Sequence, residues 1–283
     1  MSIQWFPGHM NAASREARKT MQSIDVIIEV VDARIPEASS NPLIKDLQKQ
    51  SKRPCLKVLN KADLADPVAT KSWLNFFNSQ LNLKAIALSG NRVNQAIRVT
   101  DLCQVLAPHR NSQIKPLRMF ILGIPNVGKS TLLNSILQRR ISRVGNEPAV
   151  TKKQERHTLN DRMNLIDSPG LMWPKIKNQN VGYLLAAIHA IGANAVIDEE
   201  VAEFLVETLL VRYPELLASR YDIDVERVTG MSVLQFIAMK RGCRRKGRSG
   251  EFDMEKAARI LLAEFRTGKL GRVSLEIPTE KLT

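Results

Sequence analysis

Two short segments constrain this chain more than anything else in it. Gly123-Ile124-Pro125-Asn126-Val127-Gly128-Lys129-Ser130 fits the phosphate-loop pattern G-x-x-x-x-G-K-[ST], entered from an apolar run and leaving into a helix. Asn60-Lys61-Ala62-Asp63 fits N-K-x-D, a pattern that selects guanine. Its aspartate only accepts hydrogen bonds, and guanine offers N1–H and the 2-amino group as two donors side by side. Adenine has an acceptor at N1 and no 2-amino group, so it would leave the carboxylate unpaired. A fold that uses both segments must bring two distant loops together around one nucleotide, and here the base reader comes first in the chain.

The stretch up to about residue 175 alternates apolar runs with amphipathic ones. Val26–Val31, Cys55–Leu59, Ala85–Leu88, Met119–Leu122 and Met163–Ile166 read as strands, and Pro42–Gln50, Val68–Leu81 and Val93–Leu106 as helices. Alternation of that kind predicts an α/β fold, a doubly wound and mostly parallel sheet covered on both faces. In such sheets ligands sit beyond the carboxyl ends of the strands, where Asn60, Ser89, Gly123 and Asp167 all fall. After Trp173-Pro174-Lys175 the pattern changes. Val201, Phe204, Leu205, Leu209 and Val211 recur at helical spacing behind Asp198 as N-cap, and Met254, Ala258, Leu261, Leu262 and Phe265 do so behind Asp253. The expected division is a nucleotide-binding domain over 1–175 and a small all-α domain over 176–283.

Composition bounds the setting. The 283 residues are 44% hydrophobic and 25% charged, as in a globular protein with a sizeable core. A net charge of +14 and an isoelectric point near 9.9 favour a polyanionic partner. Cys55, Cys103 and Cys243 are scattered and form no C-x-x-C pair, so neither a zinc site nor a disulfide framework is indicated and a reducing cytoplasm is expected. No stretch reads as a membrane span, and Met1–Pro7 lacks the pattern of a secretory signal. The expectation is a soluble cytoplasmic monomer that does not engage membranes.

The chemistry follows from the loops. Backbone N–H groups of Asn126, Val127, Gly128, Lys129, Ser130 and Thr131 would converge on phosphate oxygens, with Lys129 adding a point charge and Ser130 a hydroxyl for Mg2+. Asp167-Ser168-Pro169-Gly170 fits D-x-x-G: Asp167 would hold Mg2+ through water and the Gly170 N–H would sense the γ-phosphate. Between the two loops lies Gly145–Thr151, where Thr151 is a candidate second hydroxyl ligand when GTP is bound. Ser89-Gly90 would back up the guanine through main-chain contacts. Asp32-Ala33-Arg34 ends the first strand and reads equally well as a capping or salt-bridging pair or as a nucleotide contact. Lys240, Arg241, Arg244, Arg245, Lys246 and Arg248 make a basic run nearly free of acids, better suited to RNA phosphates than to a merely solvated face. Aromatic residues total only 5%, so shape and backbone contacts on structured RNA are expected rather than base readout.

Together these features resemble the circularly permuted GTPases, and within them the ribosome biogenesis GTPase A (YlqF) family. In most GTPases the phosphate loop precedes the base reader. The resemblance includes Gln4-Trp5-Phe6-Pro7-Gly8-His9-Met10, Asp32-Ala33-Arg34-Ile35-Pro36, both nucleotide motifs, Asp167–Pro174, Lys240-Arg241-Gly242-Cys243 and Phe265–Arg272. It implies a permuted P-loop GTPase domain followed by a helical RNA-binding domain, acting late in assembly of the large ribosomal subunit and stimulated by it. The partners implied are a large-subunit precursor with its rRNA and ribosomal proteins; the cofactors are GTP or GDP and Mg2+. Ala149 stands where the family usually has glycine, and Gly90 where alanine is usual.

Catalysis is the point at which the residues depart from Ras-type GTPases. The position after D-x-x-G, where those enzymes carry a water-orienting glutamine, is Leu171. The resemblance points to His9 as the substitute, with a surface or rRNA-contacting histidine as the rival. It likewise points to Asn126 as a K+ ligand, against a purely structural loop asparagine. Two other readings of the chain stay open here: a stand-alone small-molecule NTPase, and an RNA chaperone with a regulatory nucleotide site.

Overall fold

The computed structural model describes residues 9–110, 112–140, 154–192, 195–226, 228–245 and 251–278, with the side chains of His9 and Met10 excepted. Its centre is a six-stranded sheet of β1 (Val26–Asp32), β2 (Cys55–Asn60), β3 (Leu83–Ala87), β4 (Leu117–Leu122), β5 (Glu155–Asn160) and β6 (Met163–Asp167), in the order β3-β2-β1-β4-β6-β5. Every pairing is parallel except β5 with β6. β1 is buried along its whole length, which is why it is apolar on both faces, apart from Glu29 and the terminal Asp32, rather than alternating. Its buried Glu29 is matched by Lys57 of β2, Nζ to Oε2 at 2.7 Å. β5 was not foreseen. It is an edge strand of mostly exposed polar residues, so it carries no hydrophobic signature.

Successive strand residues point to opposite faces and feed two cores. On one face, Ile27, Val31, Cys55, Leu59 and Phe120 meet α1 (His9–Thr20), α2 (Pro42–Ser51) and α3 (Pro67–Asn78) through Ala17, Ile44, Leu47 and Trp73. On the other, Ile28, Val30, Leu56, Val58, Met119 and Ile121 meet α4 (Val93–Leu106) and α5 (Lys129–Leu137). That second core runs without a break into α6 (Gln179–Ala187), α7 (Asp198–Arg212), α8 (Pro214–Tyr221), α9 (Gly230–Lys240) and α10 (Met254–Thr267). α7 packs against the other four. Asp253 caps α10 as expected, its carboxylate accepting from Lys256 N. The N-cap of α7 is Ile197, not Asp198. Asp198, Glu199 and Glu200 instead fill the first turn, where the helix dipole favours acids.

Two arginines and a tyrosine converge on one acidic side chain to tie the helices together. Glu264 of α10 is buried and accepts from Arg220, Tyr221 and Arg241. Beyond α10 the chain leaves the helices and lies across the sheet domain. Arg272 donates to the carbonyls of Ala62 and Ala65, Val273 N to Leu64 O, and Leu275 N to Arg34 O. The Glu276 carboxylate then accepts from Glu37 N and Ala38 N, while Trp73 Nε1 donates to its carbonyl. A division of the chain at one point therefore leaves residues 268–278 in contact with the loops of the first unit.

Burial raises the Glu276 carboxyl to about 7, against the pull of the two N–H groups. A folded-state pKa above the unfolded one makes the folded form take up a proton first as pH falls. Stability attributable to this group therefore grows as pH falls from about 8, through 7, to the ordinary glutamate value near 4.5. Wild type should gain more in thermal midpoint over that interval than Glu276→Gln, and equal gains would show that the group titrates normally.

Candidate nucleotide site

The carboxyl ends of β1, β2, β3, β4 and β6 share one rim, and the expected motifs meet there. Asn60, the last residue of β2, is 2% exposed and holds both neighbours at once. Its Nδ2 donates to Val127 O of the phosphate loop at 2.8 Å, and its Oδ1 accepts from Gly90 N at 2.7 Å. Gly128 is glycine for a visible reason: its φ is +93°, and a Cβ there would stand 2.3 Å from Asn60 Nδ2. Lys61 spans the same gap, its Nζ donating to Asn126 O at 2.7 Å. The base-reading loop and the phosphate loop are thus bolted together by adjacent side chains.

Asp63 stands exposed on the rim, and Ser89 Oγ donates to its Oδ1 at 2.7 Å. A hydroxyl on one oxygen fixes the carboxylate's orientation and leaves it acceptor capacity for a base. The main chain of Ser89 and Gly90, expected to back up the guanine, is tied to neighbouring side chains: Ser89 N donates to Gln95 Oε1 and Gly90 N to Asn60 Oδ1. Gln95 was missed; a glutamine in a helical first turn gives no signal of its own.

At the phosphate end, Lys129 and Ser130 open α5, whose first-turn N–H groups have no intrahelical acceptor and face the loop's interior as an anion cradle. Lys129 is buried, donates to Ile124 O at 2.8 Å, and has its pKa lowered to about 8 by burial, which the charge of Asp167 opposes. Asp167 closes β6. Burial raises its pKa to about 6, with the Lys129 ammonium pulling the other way. Both its carboxylate oxygens are buried without a hydrogen-bond partner of ordinary geometry among the described residues. An orphaned carboxylate facing a hydroxyl-bearing loop suits Mg2+, so the residues fit the ion. Asp167 and Ser130 would hold it, and it would neutralise phosphate charge. Gly170 lies against the phosphate loop so closely that a Cβ would meet Pro125 Cγ at 2.8 Å and Pro125 N at 2.9 Å.

Leu171 settles one negative point. Its side chain is fully buried, its N–H donates to Gly123 O and its carbonyl accepts from Asn41 Nδ2, so this position cannot orient water. His9 begins α1, but its side chain lies outside the described residues, as do Thr151, Lys246 and Arg248. Asn126 Nδ2 donates to the carbonyl of His189, just past α6, which brings the helical layer onto the phosphate loop. Of the basic run, Lys240 reaches Tyr221 O and Asp222, and Arg241 reaches Glu264. Arg244 and Arg245 are exposed, with Arg245 near Glu251.

A family model described as "50S ribosome-binding GTPase" matches residues 118–217. It begins at β4 and the phosphate loop, and leaves the base reader of β2 upstream, as permuted order requires. The ribosome biogenesis GTPase A of Bacillus cereus is 37% identical over 99% of this chain and 95% of its own. The chain belongs to the ribosome biogenesis GTPase A family. The mitochondrial ribosome-associated GTPase 1 of Ictalurus punctatus is also similar, at 32% identity over 96% of this chain and 92% of its own. The solved GNP-bound YlqF from T. maritima superposes with a TM-score of 0.66 at 25% identity, covering 94% of this chain and 98% of that one. A GDP-bound YlqF structure gives 0.67. The fold is accordingly that of a circularly permuted P-loop GTPase, a family that hydrolyses GTP.

Proposed function

We propose that this GTPase acts on a late precursor of the large ribosomal subunit in the cytoplasm. It docks on rRNA through its helical region and leaves when GTP is hydrolysed. What carries the reading is that helical region and nucleotide site are physically joined. Asn126 of the phosphate loop bonds the turn after α6, Arg266 of α10 donates to Ala186 and Ala187 at the end of α6, and the tail lies on the base-reading loop. A change at the γ-phosphate thus reaches the surface that would meet RNA. On that surface Arg244 and Arg245 sit beside an apolar groove of Phe236, Met239 and Phe252, which offers a base a stacking platform that composition alone gave no reason to expect. The functional units are 1–175 for the nucleotide and 176–283 for RNA.

In this scheme Thr151, Ser130 and Asp167 serve Mg2+, and K+ would be served by Asn126. His9 orients the attacking water in place of the buried Leu171. Binding to large subunits should be tighter with a non-hydrolysable GTP analogue than with GDP, and weaker for Arg244→Ala/Arg245→Ala in both states; equal affinity in the two states contradicts the switch. Turnover stimulated by large subunits should be lost in His9→Ala, and stimulation that survives would remove His9 from the chemistry.

A further inference from the structure

We infer that Asp32 is a positioning residue for the nucleotide site, acting through Lys61, and that Arg34 extends the same linkage to the end of α10. The Asp32 carboxylate ends β1 and is fully buried. Arg34 grips it with both Nε (2.9 Å) and Nη2 (2.8 Å), and Lys61 Nζ lies 3.0 Å from its Oδ2. Lys61 in turn reaches Asn126 O on the phosphate loop. In the other direction Arg34, itself 1% exposed, donates through Nη1 to Phe265 O at 3.1 Å and lies 4.6 Å from the centre of the Phe265 ring. An unbroken line of polar contacts thus runs from the phosphate loop to the last turn of α10. The backbone reinforces it, because Leu275 N donates to Arg34 O.

The chemistry requires the carboxylate. Two cations converge in a buried space, and one anion accepting from both lets each stay charged and aimed. Asp32 touches no nucleotide; it holds Lys61 where the base-reading loop and phosphate loop must close. The Asp32-Ala33-Arg34 motif then has a role beyond capping: it makes the placement of α10 and the tail depend on the loop that surrounds the base.

The proposal rests on guanine-nucleotide binding at this rim, so the test begins with GDP titration of the wild type, whose failure to bind would remove that reading rather than the linkage. GDP affinity is then measured for Asp32→Asn, Lys61→Met and the double variant, at temperatures well below each thermal midpoint. Asp32→Asn should weaken GDP about tenfold or more, and the double variant should bind no more weakly than Lys61→Met alone. Unchanged affinity in Asp32→Asn, or losses that add in the double variant, would overturn it. Amide exchange keeps the idea testable if Asp32→Asn does not fold. In the wild type GDP should slow exchange at Leu275 and in the last turn of α10, and Arg34→Lys, held saturated with GDP, should lose that slowing. Exchange in the tail that ignores GDP would overturn the extension to α10.

Discussion

Asp63→Asn should cost the protein its preference for guanine. The carboxylate is exposed on the rim and oriented by Ser89 Oγ, so its remaining lone pairs are aimed outward at a ligand. Guanine presents N1–H and its 2-amino group to that edge, and hydrogen bonds to a charged acceptor are worth about 1.5–3 kcal/mol each. An asparagine keeps one acceptor but turns an NH2 toward guanine's 2-amino group, replacing attraction with two donors face to face. The loss should be about 3–5 kcal/mol, or roughly a hundredfold to several thousandfold in GDP affinity. Xanthine carries a carbonyl oxygen where guanine carries the amino group, so it can accept from the new NH2. The variant should therefore bind xanthosine diphosphate better than GDP, and ADP poorly in either form. Calorimetric titration with the three nucleotides decides it: a variant that still ranks GDP first would mean that Asp63 does not read the base.

How much of this was visible beforehand depends on how local each signal is. The strands β1, β2, β4 and β6 are short apolar runs in a sheet covered on both faces, and they are found where the pattern predicts. Pro42 and Asp253 mark helix starts by local chemistry, and those helices begin there. The nucleotide motifs meet because parallel strands deliver their carboxyl ends to one rim. Contacts between segments distant in sequence left no such trace. Nothing in Arg272 or Glu276 announces that the tail returns to the loop at 62–66 and to 37–38, since each looks like an ordinary charged residue near a terminus. Asp32-Ala33-Arg34 was visible as a pair, but its reach to Lys61 and Phe265 depends on the fold. The edge strand β5 was hidden by its polarity, and the engaged N–H groups of Ser89 and Gly90 by Gln95 and Asn60, whose orientations only the assembled rim determines.

Asn60→Ala should damage nucleotide binding and stability together, although Asn60 is almost wholly enclosed by protein. Its amide is the sole side-chain group that bonds both the phosphate loop, at Val127 O, and the third-strand loop, at Gly90 N, among the described hydrogen bonds. Truncation leaves a buried carbonyl and a buried N–H facing an emptied space, at about 1–3 kcal/mol for each unsatisfied group. The expected destabilisation is about 2–4 kcal/mol, less than the plain sum because water can enter from the open rim. The same loss frees Gly128 from the amide it is shaped around, so the phosphate cradle and the Ser89–Asp63 pair no longer share a fixed distance. A bound nucleotide spans that distance and would have to restore it, which should weaken GDP about tenfold to a hundredfold even where the variant is fully folded. Asn60→Asp separates the two effects. It keeps an acceptor for Gly90 N but sets a carboxylate oxygen against Val127 O, so GDP affinity should fall at least as far as in Asn60→Ala. Urea unfolding and GDP titration of both variants test this. Full GDP affinity in a destabilised Asn60→Ala would show that the two loops keep their spacing without the amide, through Lys61 and Asn126 alone.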